Sequence, residues 1–440
     1  MNAFVFAAML AATPIDLEQA RVLSRENTQS LVALLEASSA GQDVRTARAS
    51  LLPQLRFSAS AAGEYNGPQR YFTVVPLEDG SFQRQVIDVP TSVNASFSLG
   101  LTLTQLIYDR SVWARLEQSG AQFEVQRGQA TEQRDASELE GIQRFFALYR
   151  TQATIQVLEA NVQRSEQQLE RARALFHAGR VGKAEELSAQ VNLGNDRIVV
   201  ATRQSQLAAN QVQLATWLAM PGAEVVSAVD PGVLRQEPAP APALDAALEE
   251  ARTHRPLLVA LRQQLRAAGL QERIAHAGYL PRLSFQAQYQ RFGPNADVVY
   301  LQPQLQNSVN GSLALSWDLF NGLSTQAATR KAELQIKVAE LNLRQAERDL
   351  EGAVRQAHAT VAAQILATQL AEANRKAAAD ALSLATERFN AGVSSTLEVR
   401  DAQLKLTQSE LTLLENRIDV ELARFSLMRA MGTLYSGETQ

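Results

Sequence analysis

Glu398 and Asp401 are the two residues whose types and spacing most directly suggest chemistry. In a helix, an i, i+3 spacing puts both carboxylates on one face. A crowded set of such acids attracts cations and raises some of its own pKa values. A second acid, Glu185, lies in a similar segment, with Ser188 where its i+3 partner would stand. These acids also have a local use. Ser395-Thr396-Leu397-Glu398 fits a capping box, and acids early in a helix complement its dipole. Arg180, Lys183 and Arg400 are candidates to pair with them, although exposed pairs contribute little each.

Other chemistries find little support. The 440 residues include no cysteine, which removes disulfides, thiolate metal sites and a Cys nucleophile. Four histidines, His177, His254, His276 and His358, leave little for metal or acid–base work. Gly179-Arg180-Val181-Gly182-Lys183-Ala184 is a poor P-loop: His177 occupies the first glycine position and no Ser or Thr follows the lysine. His177 itself reads as a solvated helix-end residue. A net charge of -4 offers no basic footprint, so no nucleic-acid partner is expected. No cofactor and no catalytic residue set is expected. Trp113, Trp217 and Trp317 read as packing or interface anchors, with Trp317 suited to an aromatic belt.

The elements that must position the acids come as a chain made twice, with a repeat of roughly 215–230 residues. Leu52-Pro53-Gln54-Leu55 is echoed by Leu280-Pro281-Arg282-Leu283, and Phe176-His177-Ala178-Gly179 by Phe389-Asn390-Ala391-Gly392. Gln190 and Gln403 follow the two glycines at the same distance. Each half predicts one helix (15–51, 244–279), two extended segments, a very long helix (111–176, 324–389), a Gly turn and a returning helix (184–220, 396–431). Glycine suits each turn because a helix C-cap often needs positive φ. Helices this long need lateral packing, usually as a coiled coil. Leu334, Val338 and Leu341 form a narrow seam of that kind.

The extended segments, about 54–64, 91–106, 282–291 and 307–319, alternate apolar with uncharged polar residues. Val93, Ala95, Phe97, Leu99 and Leu101 oppose Asn94, Ser96, Ser98, Gly100 and Thr102. A sheet on a core has this period, and so does a membrane barrel around water. Four strands cannot close a barrel with a lumen, and open edges are not tolerated in lipid. The barrel reading therefore needs an oligomer, and three copies would supply twelve strands. The connections 63–90 and 291–305 are expected as polar external loops.

The domain reading follows. Residues 1–12 form a signal-like segment without a basic n-region, and 13–220 the first repeat. A Pro/Ala-rich linker spans 221–243, the second repeat 244–434, and a short tail 435–440. An acylated-Cys anchor is not expected.

The duplicated order, the Leu-Pro-x-Leu before a strand and the paired Phe-x-x-Gly turns together resemble the TolC-like outer-membrane efflux proteins. The resemblance runs from about Ile15 to Leu434. It implies a mainly α fold with a β-barrel part: a long α-helical coiled-coil barrel, and four strands per chain completing a twelve-stranded trimeric membrane barrel. It implies a homotrimer in the outer membrane of a Gram-negative bacterium with a large periplasmic part. Such a channel is a passive exit duct in tripartite efflux or type I secretion. Its partners are outer-membrane lipid, a periplasmic adaptor, and an inner-membrane pump or ABC transporter. The resemblance also makes Ala178, Gly179, Arg180 and Val181, with Ala391, Gly392, Val393 and Ser394, the adaptor-docking tips. It sets Glu398, Asp401 and Glu185 at the periplasmic entrance constriction, where three copies would crowd carboxylates around one axis. In some relatives a Tyr and an Arg on the second tip hold the entrance shut. Phe389 and Ser394 occupy those positions here and cannot make that lock. The competing reading is a soluble periplasmic coiled-coil scaffold or adaptor. An enzyme is the weakest option.

Overall fold

The structure is a computed structural model that describes residues 12–78, 80–220, 225–232 and 239–434. The signal-like segment up to residue 11, the tail from 435 and parts of the linker lie outside these residues. The chain divides into two compact units, one of residues 1–39, 124–264 and 339–440, the other of 40–123 and 265–338.

The elements keep the same grammar in each half. The first half runs β1 (Thr13–Ile15), α1 (Leu17–Arg25), α2 (Thr28–Ala49), β2 (Gln54–Asn66), β3 (Gln69–Pro76), β4 (Phe82–Val89), β5 (Ser92–Tyr108), α3 (Arg110–His177) and α4 (Lys183–Trp217). After β6 (Val226–Ala228), the second half runs α5 (Leu244–His254), α6 (Pro256–His276), β7 (Arg282–Gly293), α7 (Ala296–Leu301), β8 (Asn307–Ser316), α8 (Ser324–Asn390) and α9 (Thr396–Met431). At 1.5 Å per residue, α3 and α8 are each about 100 Å long.

Four features depart from the sequence expectations, one being that the connection 291–305 is not a plain loop but contains α7. The leading helix of each half is broken rather than continuous. In the second half the break is at Pro256, which has no N–H to donate and forces Arg255 into extended backbone, ψ 116. In the first half Asn27 caps the new helix, its Oδ1 accepting from Ser30 N at 2.9 Å. The connection after β2 is not a loop. It folds into a two-stranded antiparallel ribbon, β3 on β4, from Gln69↔Val89 to Pro76↔Phe82. The linker contains β6, which pairs parallel with β1 through Thr13↔Val226 and Ile15↔Ala228.

In the second unit, four strands form one antiparallel sheet in the order β2-β5-β7-β8. Its register carries the alternation across every strand. Phe57↔Leu101, Leu101↔Tyr289 and Tyr289↔Val309 share one face; Ser58↔Gly100, Gly100↔Gln290 and Gln290↔Ser308 share the other. Much of the apolar face is bare: Phe57, Leu313 and Leu315 are each about two-thirds exposed. Arg291 is the charged exception on that face. Its guanidinium donates to the carbonyls of Val298, Gln302 and Leu305, so the α7 segment covers it. Strands β2 and β8 are the open edges.

The first unit has the larger core. Ile142, Phe145, Phe146 and Leu148 of α3 pack with Leu214 of α4 and Ile418 of α9, and Ile15 and Val226 close it. Helices approach closely where side chains vanish. A Cβ at Gly141 would lie 1.8 Å from Ser24 Oγ, so α1 and α3 touch there through glycine and serine. Beside this contact, the buried Glu138 carboxylate accepts from Arg21 Nε at 2.8 Å and Arg25 Nε at 2.6 Å.

Candidate functional site

The two helix-to-helix turns of the first unit are built alike. Gly179 (φ 69) and Gly392 (φ 78) adopt the left-handed conformation. At the first, Gly179 N–H donates to Phe176 O at 2.9 Å and Arg180 N–H to Leu175 O at 2.9 Å. At the second, Gly392 N–H donates to Phe389 O and Val393 N–H to Arg388 O, both at 3.0 Å. Both are Schellman caps, which close the helix and satisfy its last carbonyls. Ala178, Gly179, Arg180, Ala391, Gly392 and Val393 are exposed, while Val181 and Ser394 are half-buried. Val393, Leu397, Leu187 and Val191 leave apolar side chains exposed at and just beyond the turns.

The three acids occupy different surroundings. Glu398 lies 3.4 Å from Arg388 across the turn, and its backbone N–H donates to Ser395 Oγ at 3.3 Å. Ser395 is thus the N-cap of α9. Asp401 pairs with Lys405 one turn on, at 2.7 Å. Glu185 accepts the Thr396 hydroxyl, which places the starts of α4 and α9 side by side. The cations expected near these acids go elsewhere. Lys183 pairs with Glu186 at 2.5 Å, and its hydrogen bond holds that carboxyl below the usual range. Arg400 stands within two positions of Glu398 and Asp401, which are not facing positions on a helix. It points to α3 and α4 instead.

There it forms a polar node that sequence reasoning did not find. Arg400 donates to both Asp196 carboxylate oxygens at 2.9 Å and to Ser165 Oγ at 3.0 Å. Ser165 Oγ also donates to Asp196 at 2.5 Å. Gln403 reaches Asn161 Oδ1 at 3.0 Å and Ser165 Oγ at 3.2 Å, and Thr407 reaches Asn161 Oδ1 at 3.1 Å. Arg164 adds an ion pair to Glu410 at 3.1 Å. α9 is therefore tied to α3 and α4 by a largely buried polar network. The apolar cluster beside it is small, Ala385, Val399 and Ala402 with Leu382 and Phe389. Phe389 is thus a packing residue. One signal for the node was present in the repeat: Gln190 and Gln403 hold equivalent positions, yet Gln190 is exposed and Gln403 is buried. The node borders a groove of about 670 Å³ lined by Glu185, Ser188, Asn192, Asn195, Thr396 and Arg400.

A second charged cluster sits deeper in the same unit. Arg255 lies 2.6 Å and Arg429 3.3 Å from Glu132. Nearby Asp135 is buried, and its pKa is pushed up to about 6 by desolvation, then by the charges of Glu132 and Glu138. Arg255 and Arg429 oppose that rise. Among the described residues, no group of three or more His, Asp or Glu could hold a metal ion. No described helix is long and apolar enough to cross a membrane.

A broken leading helix and a capped turn in each half, with one sheet built from two strand pairs, define the TolC-like channel fold. The model of the outer membrane efflux protein family matches residues 22–219 and 247–433, and the chain belongs to that family. The structure is similar to the CmeC outer membrane channel of Campylobacter jejuni (TM-score 0.74, 15% identity, 96% of this chain and 87% of that one). It is similar to the outer membrane protein VceC of Vibrio cholerae (0.72, 16%, 94% and 96%) and to the MtrE outer membrane channel of Neisseria gonorrhoeae in its open state (0.71, 19%, 95% and 89%). No curated protein sequence matches this chain. Family and fold are those of channels, and the protein is an outer-membrane exit channel of tripartite efflux.

Proposed function

We propose that this efflux protein works as a passive homotrimeric duct and catalyses no reaction. It spans the outer membrane of a Gram-negative bacterium, with its long helices in the periplasm. It takes small molecules or a secreted protein from an adaptor and an inner-membrane pump or ABC transporter. The observation that carries this reading is the register of the four-stranded sheet. The four strands place most of their large apolar residues on one face and the uncharged polar residues on the other. Beyond the patch that α7 covers, the apolar face is exposed among the described residues, as expected of a surface meant for lipid around a wet lumen. The two edges, β2 and β8, run in opposite directions along an antiparallel sheet, so copies can join edge to edge and close. Exposed Leu366, Leu370 and Leu384 along α8 supply a further seam for a neighbour.

In this reading the turns at Ala178–Val181 and Ala391–Ser394 are where the adaptor docks, their exposed Val393 and Leu397 giving it apolar purchase. Glu398, Asp401 and Glu185 line the entrance constriction. The Asp196–Arg400 node supplies the clamp that Phe389 and Ser394 cannot. A soluble scaffold would leave the apolar sheet face in water, which disfavours it. Planar-bilayer recording tests the duct: purified protein should give discrete cation-sensitive channels. Protein that never inserts, and that extracts without detergent, contradicts the reading.

A further inference from the structure

The polar face of the four-stranded sheet carries charge at only three strand positions, Arg56, Glu64 and Arg282. Arg282 is neutralised by Asp318 at 3.3 Å. Glu64 stands further along β2, about 26 Å from Arg56 at about 3.3 Å per residue. That is more than about two Debye lengths in ordinary salt. Arg56 is left alone. It is exposed and makes no hydrogen bond or ion pair among the described residues. The row it belongs to, Thr102, Gln288 and Asn310, is uncharged. Neither packing nor pairing within the chain accounts for a guanidinium there. Nor does closure of the barrel neutralise it. β2 and β8 are the edges, so the strand that joins β2 from another copy is β8. The polar face of β8, with Ser308, Asn310, Ser312 and Ser316, holds no charge, and Asp318 just past its end is already taken by Arg282.

We propose that Arg56 forms an anion-attracting ring inside the barrel: three guanidinium groups, one from each protomer, at one height in the lumen. This rests on the trimeric duct proposed above and narrows its cargo, favouring solutes that carry carboxylate, phosphate or sulfate groups. Rings of charged side chains set the ion preference of pores, and the guanidinium fork matches such oxyanions. Twelve strands about 4.8 Å apart and tilted about 40° make a barrel about 12 Å in radius, so an arginine reaching about 6 Å inward holds its charge about 6 Å from the axis. Three such charges raise the anion concentration on the axis roughly tenfold at about 0.1 M salt and only about twofold at about 1 M. The ring is opposite in sign to Glu398, Asp401 and Glu185, so the ion each set attracts tells the two apart.

Planar-bilayer recording of the full chain tests the ring, with inorganic tripolyphosphate as the probe on the extracellular side. In dilute KCl, tripolyphosphate should block the unaltered protein and Arg56→Lys at a several-fold lower concentration than Arg56→Gln. The chloride-to-potassium permeability ratio should fall several-fold in Arg56→Gln, and both differences should shrink in concentrated KCl. The chain contains no cysteine, so Arg56→Cys gives a second reading of the same position. A cationic methanethiosulfonate should restore the block in that variant, and an anionic one should not. Channels of the unaltered protein that tripolyphosphate does not block overturn the ring and leave the duct standing. So do Arg56→Gln channels with unchanged block and permeability ratio, or Arg56→Cys channels that respond alike to both reagents. Protein that forms no channels at all overturns the duct and the ring together.

Discussion

Asp196 and Arg400 form the most consequential pair of side chains in the first unit. Both are largely buried, and each satisfies the other. Removing one charge strands its partner, which costs about 3–5 kcal/mol for a buried pair. Arg400→Ala and Asp196→Ala should each lower the thermal midpoint of the detergent-solubilised protein. The double variant should cost much less than their sum; additive effects would show that the two do not act together. Both single variants should also raise open-channel probability in bilayers if the node clamps the entrance. Glu398→Ala with Asp401→Ala should leave stability nearly unchanged, because both acids make only exposed pairs. That variant should raise single-channel conductance and weaken block by divalent cations; unchanged recordings would remove the carboxylate ring. Asp135 gives a pH signature. Its folded pKa is raised from 3.8 to about 6, so the folded state holds the proton more tightly than the unfolded one. Its contribution favours folding below about pH 4 and is lost as pH rises through about 6. Asp135→Asn should therefore stabilise the protein at pH 7.5 by on the order of 2 kcal/mol and much less at pH 4.5. An equal effect at both pH values would rule out burial of the charged carboxyl as the cause.

At the scale of elements, strand alternation and the capped turns were legible because each depends on local sequence. Val93 to Leu103 alternates without interruption, and each turn announces itself by Phe-x-x-Gly. The break at Pro256 is marked by the proline itself but masked by the apolar spacing that continues through it. The ribbon was hidden by Gln69, Arg70, Gln83 and Arg84, whose polarity reads as loop until β3 and β4 are seen paired. The polar node was illegible for a different reason. Asp196 and Arg400 are 204 positions apart, and no local pattern connects them. Duplication marked only Gln403, through its counterpart Gln190, and gave no sign that one is buried and the other exposed. Close helix approach gives the prediction at this scale. Gly141→Ala drives a methyl into Ser24, so it should destabilise the protein by an amount typical of overpacking, about 1–3 kcal/mol, and lower the thermal midpoint accordingly. Gly141→Ala combined with Ser24→Gly should recover most of it; no recovery would place the strain elsewhere.

At the scale of the whole molecule, one chain is an incomplete object. Among the described residues it has a sheet with two open edges, an apolar face largely exposed and exposed leucines along α8. Those three deficits have one remedy, which is association of copies around an axis. Net charge, low aromatic content and, among the described residues, the lack of a long apolar helix all resemble a protein of the aqueous phase. The reason is that only the sheet, a small share of the residues, has to meet lipid. The most direct test of the account is the mass of the detergent-solubilised protein, measured by light scattering with the detergent contribution subtracted, on material taken from the outer-membrane fraction. The account predicts a protein mass three times the 48.1 kDa of one chain, converting to the single-chain mass on heating in SDS. A monomer recovered from the soluble fraction would contradict it.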